Sequence, residues 1–253
     1  MKILRFIPPG DKKIYYGIIK QGNIFVLKNS PYKNFSVKKD NCYNINSVKL
    51  LAPCEPSKII LVGLNYRDHA RELGMRIPKT PILFLKPPTS ITNPFENIVY
   101  PKNIKRLDYE AELAIVIKNK CRYVKKHDVK HYMLGYTCLN DVTARDIQKN
   151  DIQWTRAKSF DTFCPIGPWI ETDLNTSNLK ILSYLNNNLV QSSSTKYLIF
   201  KPETLVSFIS GIMTLMPGDI IATGTPPGVG PMKRKDIVRV EIEGVGALTN
   251  TVI

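Results

Sequence analysis

The chain has 253 residues, of which 43% are hydrophobic and 23% charged, so it sits near the globular average and wholesale disorder is excluded. Its 18 prolines and 14 glycines follow no collagen-like period and form no linker block, and no internal repeat of fixed period is visible. A formal net charge of +15 raises nucleic acid as a partner. The densest basic runs, Lys118–Lys130 and Lys233-Arg234-Lys235, lack interleaved aromatics, however, and no recognition-domain or zinc-finger spacing accompanies them. The excess reads as a solvated lysine-rich surface that attracts small anions, with no nucleic-acid partner expected.

No run reaches the eighteen or so apolar residues of a membrane span, and the start, Met1–Gly10, has too short an apolar stretch for a signal peptide. Five cysteines, Cys42, Cys54, Cys121, Cys138 and Cys164, are widely spaced and odd in number, with no C-x-x-C pair. Reduced thiols in the cytoplasm, with no membrane partner, are therefore expected.

In chain order, Lys2–Ile7, Lys13–Lys20 and Asn23–Leu27 read as short strands separated by the turn signals Pro8-Pro9-Gly10 and Gln21-Gly22. Residues 1–50 are read as a small N-terminal β domain and 51–253 as the main body, with the Asn- and Lys-rich Lys38–Asn46 as a linker. Ile59–Leu64 reads as a buried strand, Tyr66–Gly74 as a short helix closed by glycine, and Ile82–Lys86 and Tyr109–Ile117 as strands. Leu134–Val142 follows as a strand and Thr143–Asn150 as a helix. Leu179–Leu185 and Leu189–Ser193 flank an Asn-rich turn as a hairpin. Pro202–Met213 is the clearest amphipathic helix, and Asp219–Thr223 and Ile237–Ile242 close the chain as strands. Strands dominate without βαβ alternation, so the fold class is mainly β, mixed α+β, with short helices.

Five segments carry residues suited to chemistry. In Asp108-Tyr109-Glu110-Ala111-Glu112-Leu113, a strand would place Asp108, Glu110 and Glu112 on one face, with neighbouring carboxylates roughly 7 Å apart. A solvated face accounts for that pattern as well as a cation site does. Leu139-Asn140-Asp141-Val142-Thr143-Ala144-Arg145-Asp146-Ile147-Gln148 ends an apolar strand in Asp141, which a helix cap would also explain. Arg145 and Gln148 then share a helix face. Three carboxylates without histidine or thiolate would suit Mg²⁺ or Mn²⁺. His69 and Glu72 are three apart, the spacing of an imidazole oriented by a carboxylate or of an ordinary surface pair. Lys158 lies among apolar and aromatic residues, where it is either functional or reaches past them to solvent. Thr225 stands in the Gly/Pro loop Thr223–Gly230, which lacks the ending of a nucleotide P-loop and otherwise reads as a plain turn. His127 and His131 have zinc-pair spacing, but the central Glu is missing and the neighbourhood is basic, so no metal is expected there.

Together these segments resemble the fumarylacetoacetate hydrolase family, in its short branch of acylpyruvase-like and 2-hydroxyhepta-2,4-diene-1,7-dioate isomerase-like members. The resemblance rests on Asn65-Tyr66-Arg67-Asp68-His69, Tyr109-Glu110-Ala111-Glu112-Leu113, Asn140-Asp141-Val142-Thr143-Ala144-Arg145-Asp146, Lys158-Ser159-Phe160-Asp161-Thr162-Phe163 and Thr223-Gly224-Thr225-Pro226-Pro227-Gly228, in family order over about residues 57–253. It implies a β-roll of mixed sheets, a homodimer, and one Mg²⁺ or Mn²⁺ per chain on Glu110, Glu112 and Asp141. It further implies a His69–Glu72 dyad, Lys158 steadying negative charge, and substrate contacts from Arg145, Gln148 and Thr225. The activity implied is metal-dependent hydrolysis of a C–C bond in an acylpyruvate-type 2,4-dioxo acid, with His69 activating water. The alternative is an isomerase, decarboxylase or keto–enol tautomerase acting on a small anionic 2-oxo (2-hydroxy-dienoic) dicarboxylic acid such as 2-hydroxyhepta-2,4-diene-1,7-dioate or oxaloacetate. Long-form members carry a fourth carboxylate ligand before the histidine; Val62-Gly63-Leu64 stands there in this chain, so three protein ligands are expected.

Overall fold

The computed structural model of the chain describes residues 1–33 and 35–253, apart from the side chains of Lys39 and Asp40. The first half runs through strands β1 (Lys2–Ile7), β2 (Tyr15–Lys20), β3 (Asn23–Leu27), β4 (Val37–Asn44), β5 (Lys49–Leu51) and β6 (Ile59–Gly63), then helix α1 (Arg67–Glu72). Strands β7 (Ile82–Lys86), β8 (Ile91–Thr92), β9 (Asn97–Ile98), β10 (Leu107–Tyr109) and β11 (Ala111–Ile117) follow. The second half contains β12 (Met133–Asn140), β13 (Thr143–Ala144), α2 (Arg145–Asn150), α3 (Thr155–Lys158), β14 (Cys164–Glu171), β15 (Lys180–Leu185) and β16 (Asn188–Ser194). It ends with α4 (Pro202–Ile212), β17 (Ile220–Ala222), β18 (Gly230–Met232), β19 (Ile237–Ile242) and β20 (Gly246–Val252). Strand dominates and every helix is short, the mainly β class expected. No helix among the described residues is long and apolar enough to cross a membrane.

Three sheets result. The largest orders its strands β4-β3-β2-β1-β14-β12-β11-β17-β6-β7, with β5 added to β1 and β8 to β14. A second is β16-β15-β19-β20-β9, and a third, of three strands, is β13-β10-β18. Strand β11 shows why the large sheet is central. All seven of its residues are buried. Leu113, Ile115 and Ile117 enter one hydrophobic cluster and Ala114 and Val116 another, as the two-residue period of a strand requires. The first cluster also takes Leu205, Val206 and Ile209 from α4 and Val240 and Ile242 from β19, so helix and second sheet cover one face.

Several elements depart from the sequence expectation. The segment expected as a linker is largely strand: β4 pairs with β3, Ile24 opposite Tyr43 and Phe25 opposite Cys42. Its Asn and Lys content reflects an edge position, where one rim of the backbone meets water. Strand β14 was hidden by Pro165 and Pro168, which argue against an interior strand. It nevertheless lies between β1 and β12, with a register shift between Tyr136 and Cys138 that accommodates the interruption. Strand β20 lies beyond the expected last strand and pairs along the length of β19. The helix expected from Thr143 starts at Arg145, because Thr143 and Ala144 pair with Asp108 and Leu107.

Candidate active site

The site forms where one ribbon changes sheets. Strands β11 and β12 pair in the large sheet as far as Ala111 opposite Asn140, and the same two segments pair again as β10 and β13, Asp108 opposite Thr143. The stretch expected as one strand from Tyr109 is therefore broken at Glu110, and Asp141 lies in the matching break. Backbone groups there still find partners. The Glu110 amide donates to Asn140 Oδ1 at 2.9 Å, and the Asp141 amide donates to the Glu110 carbonyl at 2.9 Å. With Glu112 one step into β11, the break gathers three buried carboxylates whose ligand atoms all lie within 4.8 Å of one another.

Three cations face them. Lys158, at the end of α3, places Nζ 2.6 Å from Asp141 Oδ2 and 3.0 Å from Glu110 Oε2. Lys86, at the end of β7, places Nζ 2.6 Å from Asp141 Oδ1 and donates to the carbonyls of Val142 and Phe163. Arg145, opening α2, pairs with Glu110, donates from Nε to Asp108 Oδ2 at 2.8 Å, and donates to Gln148 Oε1. Burial disfavours charge on Glu110, but Lys158 and Arg145 outweigh it and hold its carboxyl down at about 2. Burial pulls the Lys158 ammonium down, and the Asp141 and Glu110 carboxylates more than reverse this, so it is raised and stays cationic. Glu112 goes the other way: burial, reinforced by Asp141 and Glu110, pushes it well above the usual carboxylate range.

These residues fit a divalent cation. The donors are hard oxygens, as Mg²⁺ and Mn²⁺ prefer. Among the described residues no cation is paired with Glu112, whose one hydrogen bond comes from the Gly224 amide to Oε2 at 2.7 Å. Its raised proton affinity marks a place where positive charge is lacking.

The same loop reaches the dyad. His69 Nδ1 lies 2.7 Å from Glu72 Oε2, and Glu72 Oε1 accepts the Gly228 amide at 3.0 Å. Gly224 (φ +91°) and Gly228 (φ +90°) both need the left-handed region, and a Cβ on Gly228 would lie 2.3 Å from the Val190 carbonyl oxygen. Thr225 is held by Gln191, whose Nε2 donates to Thr225 Oγ1 at 3.0 Å and to the Pro226 carbonyl at 2.9 Å, while its Oε1 accepts the Ala111 amide. Asn65 fastens the start of the loop by donating to the Thr223 carbonyl at 2.7 Å.

A cavity of about 380 Å³ collects these groups. His69, Glu110, Glu112, Asp141, Arg145, Gln148, Lys158 and Thr225 all line it, opposite apolar Leu73, Ile82, Phe84 and Trp154. Of the site residues expected from sequence, only Glu72 stands behind the wall, where it orients His69. Sequence reasoning missed Lys86, whose signal was a lysine ending the apolar run Ile82-Leu83-Phe84-Leu85. It also missed Asn140 and Gln191, ordinary amides whose partners are set by the tertiary fold. Asp108 does not join the acidic group; it clamps Arg106 and Arg145. His127 and His131 lie in a 3₁₀ segment, Lys126–Tyr132, whose three-residue turn separates positions four apart, and His127 Nε2 lies 3.4 Å from Asp128 Oδ2.

Residues 58–253 match the family described as fumarylacetoacetate (FAA) hydrolase C-terminal, and residues 1–53 match one described as Rv2993c-like, N-terminal. An uncharacterized protein of Methanocaldococcus jannaschii is 55% identical over 216 residues, covering 83% of this chain and 91% of the relative. A mitochondrial oxaloacetate tautomerase of Rattus norvegicus is 44% identical over 220 residues, covering 82% of this chain and 70% of the relative. The crystal structure of a 5-carboxymethyl-2-hydroxymuconate delta-isomerase from Mycobacterium smegmatis superposes with a TM-score of 0.94 at 39% identity, over 100% of this chain and 99% of that one.

Calorimetry with Mn²⁺ should show binding lost in Glu110→Ala and Asp141→Ala and kept in His69→Ala; metal bound normally by both carboxylate variants would refute the ligand assignment. A carboxyl raised in the folded state stabilises fully below its unfolded value and loses that stability as pH climbs towards the folded one. With chelator present, the melting temperature of the wild type should therefore fall relative to Glu112→Gln as pH rises above about 4.3, the unfolded glutamate value. A constant difference between the two would contradict a raised Glu112. Removing one partner of a buried ion pair costs about 3 kcal/mol. Urea unfolding of Lys86→Met should show a loss of that order, and an unchanged midpoint would mean that Lys158 alone suffices for Asp141.

Proposed function

The chain belongs to the fumarylacetoacetate hydrolase family, and on that premise we propose that it catalyses keto–enol proton transfer on a 2-oxo acid seated over Glu110, Glu112 and Asp141. The observation that carries this reading is the placement of His69. Glu72 occupies Nδ1, which leaves Nε2 as the nitrogen available to the cavity that the triad also lines. The relatives named as an oxaloacetate tautomerase and a delta-isomerase support it, since both names describe movement of a proton without cleavage of the carbon skeleton.

A divalent ion held by the three carboxylates would supply Lewis acidity to the carbonyl and carboxylate oxygens of the acid. The rest is done by the chain. His69 Nε2 takes the proton from C3 of the keto form and delivers it to the enolate oxygen, or runs the same two transfers in reverse, and Glu72 stabilises the imidazolium formed between them. Lys158, buried and cationic, would stabilise the negative charge that develops on oxygen. Arg145, fixed by Asp108, and Gln148 orient the substrate carboxylate. Leu73, Ile82, Phe84 and Trp154 give the rest of the cavity an apolar wall.

The same dyad supports a second reading, hydrolysis of a C–C bond in an acylpyruvate. There His69 would take its proton from water attacking the distal carbonyl, and the Lys158 ammonium favours this reading because it could hold the oxyanion. The resemblance supports a homodimer as the working form, which light scattering tests.

Enol oxaloacetate and acetylpyruvate should be followed in parallel with Mg²⁺, with Mn²⁺ and with chelator. We expect metal-dependent loss of enol absorbance, cut roughly 10²–10⁴-fold in His69→Gln, the usual worth of a general base. Acetate and pyruvate released from acetylpyruvate, without faster enol–keto exchange, would overturn proton transfer in favour of hydrolysis.

A further inference from the structure

Strand β7 presents one face to the site, because alternate residues of a strand point the same way. Lys86 at its inner end meets Asp141, Phe84 follows, and Ile82 stands at the cavity mouth. Exposure rises along that face, from 1% at Lys86 to 44% at Ile82, with Phe84 half-buried between them. The face therefore passes from charge to hydrocarbon as it leaves the triad. Trp154 extends it: its ring meets Phe84 edge to face, with centroids 5.3 Å apart and planes at 76°. Against the indole lies Gly63, where a Cβ would come 2.8 Å from Trp154 Cζ3, so the ring rests on bare backbone. Leu73 and Met75, from the end of α1 and the segment after it, complete the wall although they are 52% and 53% exposed.

Large apolar side chains left facing water and gathered at one cavity mouth mark a surface that contacts a ligand. The wall also starts at the chemistry. Lys158 Nζ stands 5.0 Å from the centre of the Phe84 ring while it holds Glu110 and Asp141. A 2-oxo acid seated over the triad thus has Phe84 and Trp154 as neighbours of whatever is bonded to its C3. Charge is not answered there. Besides His69, the cations lining the cavity among the described residues are Lys158 and Arg145. Both are paired, Lys158 with Glu110 and Asp141, and Arg145 with Glu110 and Asp108. A second carboxylate against this wall would lose water without gaining a partner. A ring instead buries apolar area and finds the edge-to-face contacts that aromatic side chains offer.

We propose that Leu73, Met75, Ile82, Phe84 and Trp154 form an aryl subsite, so that the acid taken by this site is a 2-oxo monocarboxylate with an aromatic ring on C3. The proposal rests on the 2-oxo acid reading of the triad. It sets the substrate apart from oxaloacetate, whose C3 carries a carboxylate, and from an acylpyruvate, whose C3 carries a carbonyl. The step itself is unchanged and needs no co-reactant. One proton leaves C3 and one arrives on the oxygen at C2, while the C2–C3 bond becomes double and the C2–O bond single. An aromatic ring on C3 conjugates with the new double bond, and the wall holds it in both forms.

The test uses 2-oxobutanoate, 2-oxoglutarate and phenylpyruvate, which share the 2-oxo acid head and carry on C3 a methyl, a carboxymethyl and a phenyl group. Calorimetry on the full chain loaded with Mn²⁺ reads their binding. We expect phenylpyruvate to bind about tenfold or more tightly than either of the others, as an apolar pocket discriminates. Its heat-capacity change should be the more negative, the mark of buried apolar surface. Ile82→Lys, which sets an ammonium at the exposed mouth, should weaken phenylpyruvate and strengthen 2-oxoglutarate. Trp154→Leu should remove most of the phenyl preference and keep the affinity for 2-oxobutanoate. Leu85→Lys, on the opposite face of β7, should leave the order of the three acids unchanged. If 2-oxoglutarate binds the wild type as tightly as phenylpyruvate, the aryl subsite is overturned and the 2-oxo acid reading stands. The same holds if the phenyl preference survives in both Ile82→Lys and Trp154→Leu, or is lost equally in Leu85→Lys. If none of the three acids binds, the head-group reading fails and the subsite with it.

Discussion

Three carboxylates cannot share a dry pocket unless something answers their charge, and most of the functional architecture follows from that constraint. Lys86, Lys158 and Arg145 arrive from three separate elements, the ends of β7 and α3 and the start of α2, each short and each held by packing rather than by its own helical or strand propensity. The result is neutral by count yet uneven in space. Asp141 has an ammonium on each oxygen, Glu110 has an ammonium and a guanidinium, and Glu112 has a single backbone amide. The uneven distribution concentrates the deficit of positive charge on one acid and in one direction, which is where a compact dication would fit.

The fold supplies the place. A ribbon that stayed in one sheet would set Glu110 and Glu112 at ordinary strand spacing on a common face, with Asp141 across the ladder. By leaving one sheet for another at Glu110 and Asp141, the ribbon converts two strand faces into a concave corner. Asn140 makes the change tolerable, because its side chain replaces the ladder partner that the Glu110 amide loses.

Much of this was legible in the sequence, for reasons that can be named. Residues that act through chemistry specific to their type, such as the paired acids, the His69–Glu72 spacing and the lysine among aromatics at Lys158, stand out in one dimension. Regular elements with strong periodicity, such as β1, β3, β7, β19 and α4, were read within a residue or so of their ends. What stayed hidden depends on neighbours distant in sequence. Strand β14 carries two prolines that only its partners β1 and β12 make acceptable. The edge strand β4 has a composition indistinguishable from a linker. Asp108 looked like a third member of the acidic face until the break at Glu110 turned it towards Arg106 and Arg145. Lys86 and Gln191 have meaning only through atoms more than thirty residues away along the chain.

The loop from Thr223 to Gly230 links two parts of the site that are otherwise independent. One of its amides, from Gly224, fixes an acid of the triad, and another, from Gly228, fixes the acid behind the imidazole. The spacing between the imidazole and the acidic pocket is thus measured out in peptide units along this loop. Such a ruler tolerates exchange of the residues it carries and does not tolerate a change in their number. Variants of this protein that alter what is bound should therefore differ in side chains around the rim, while the count of residues between the two glycines stays fixed.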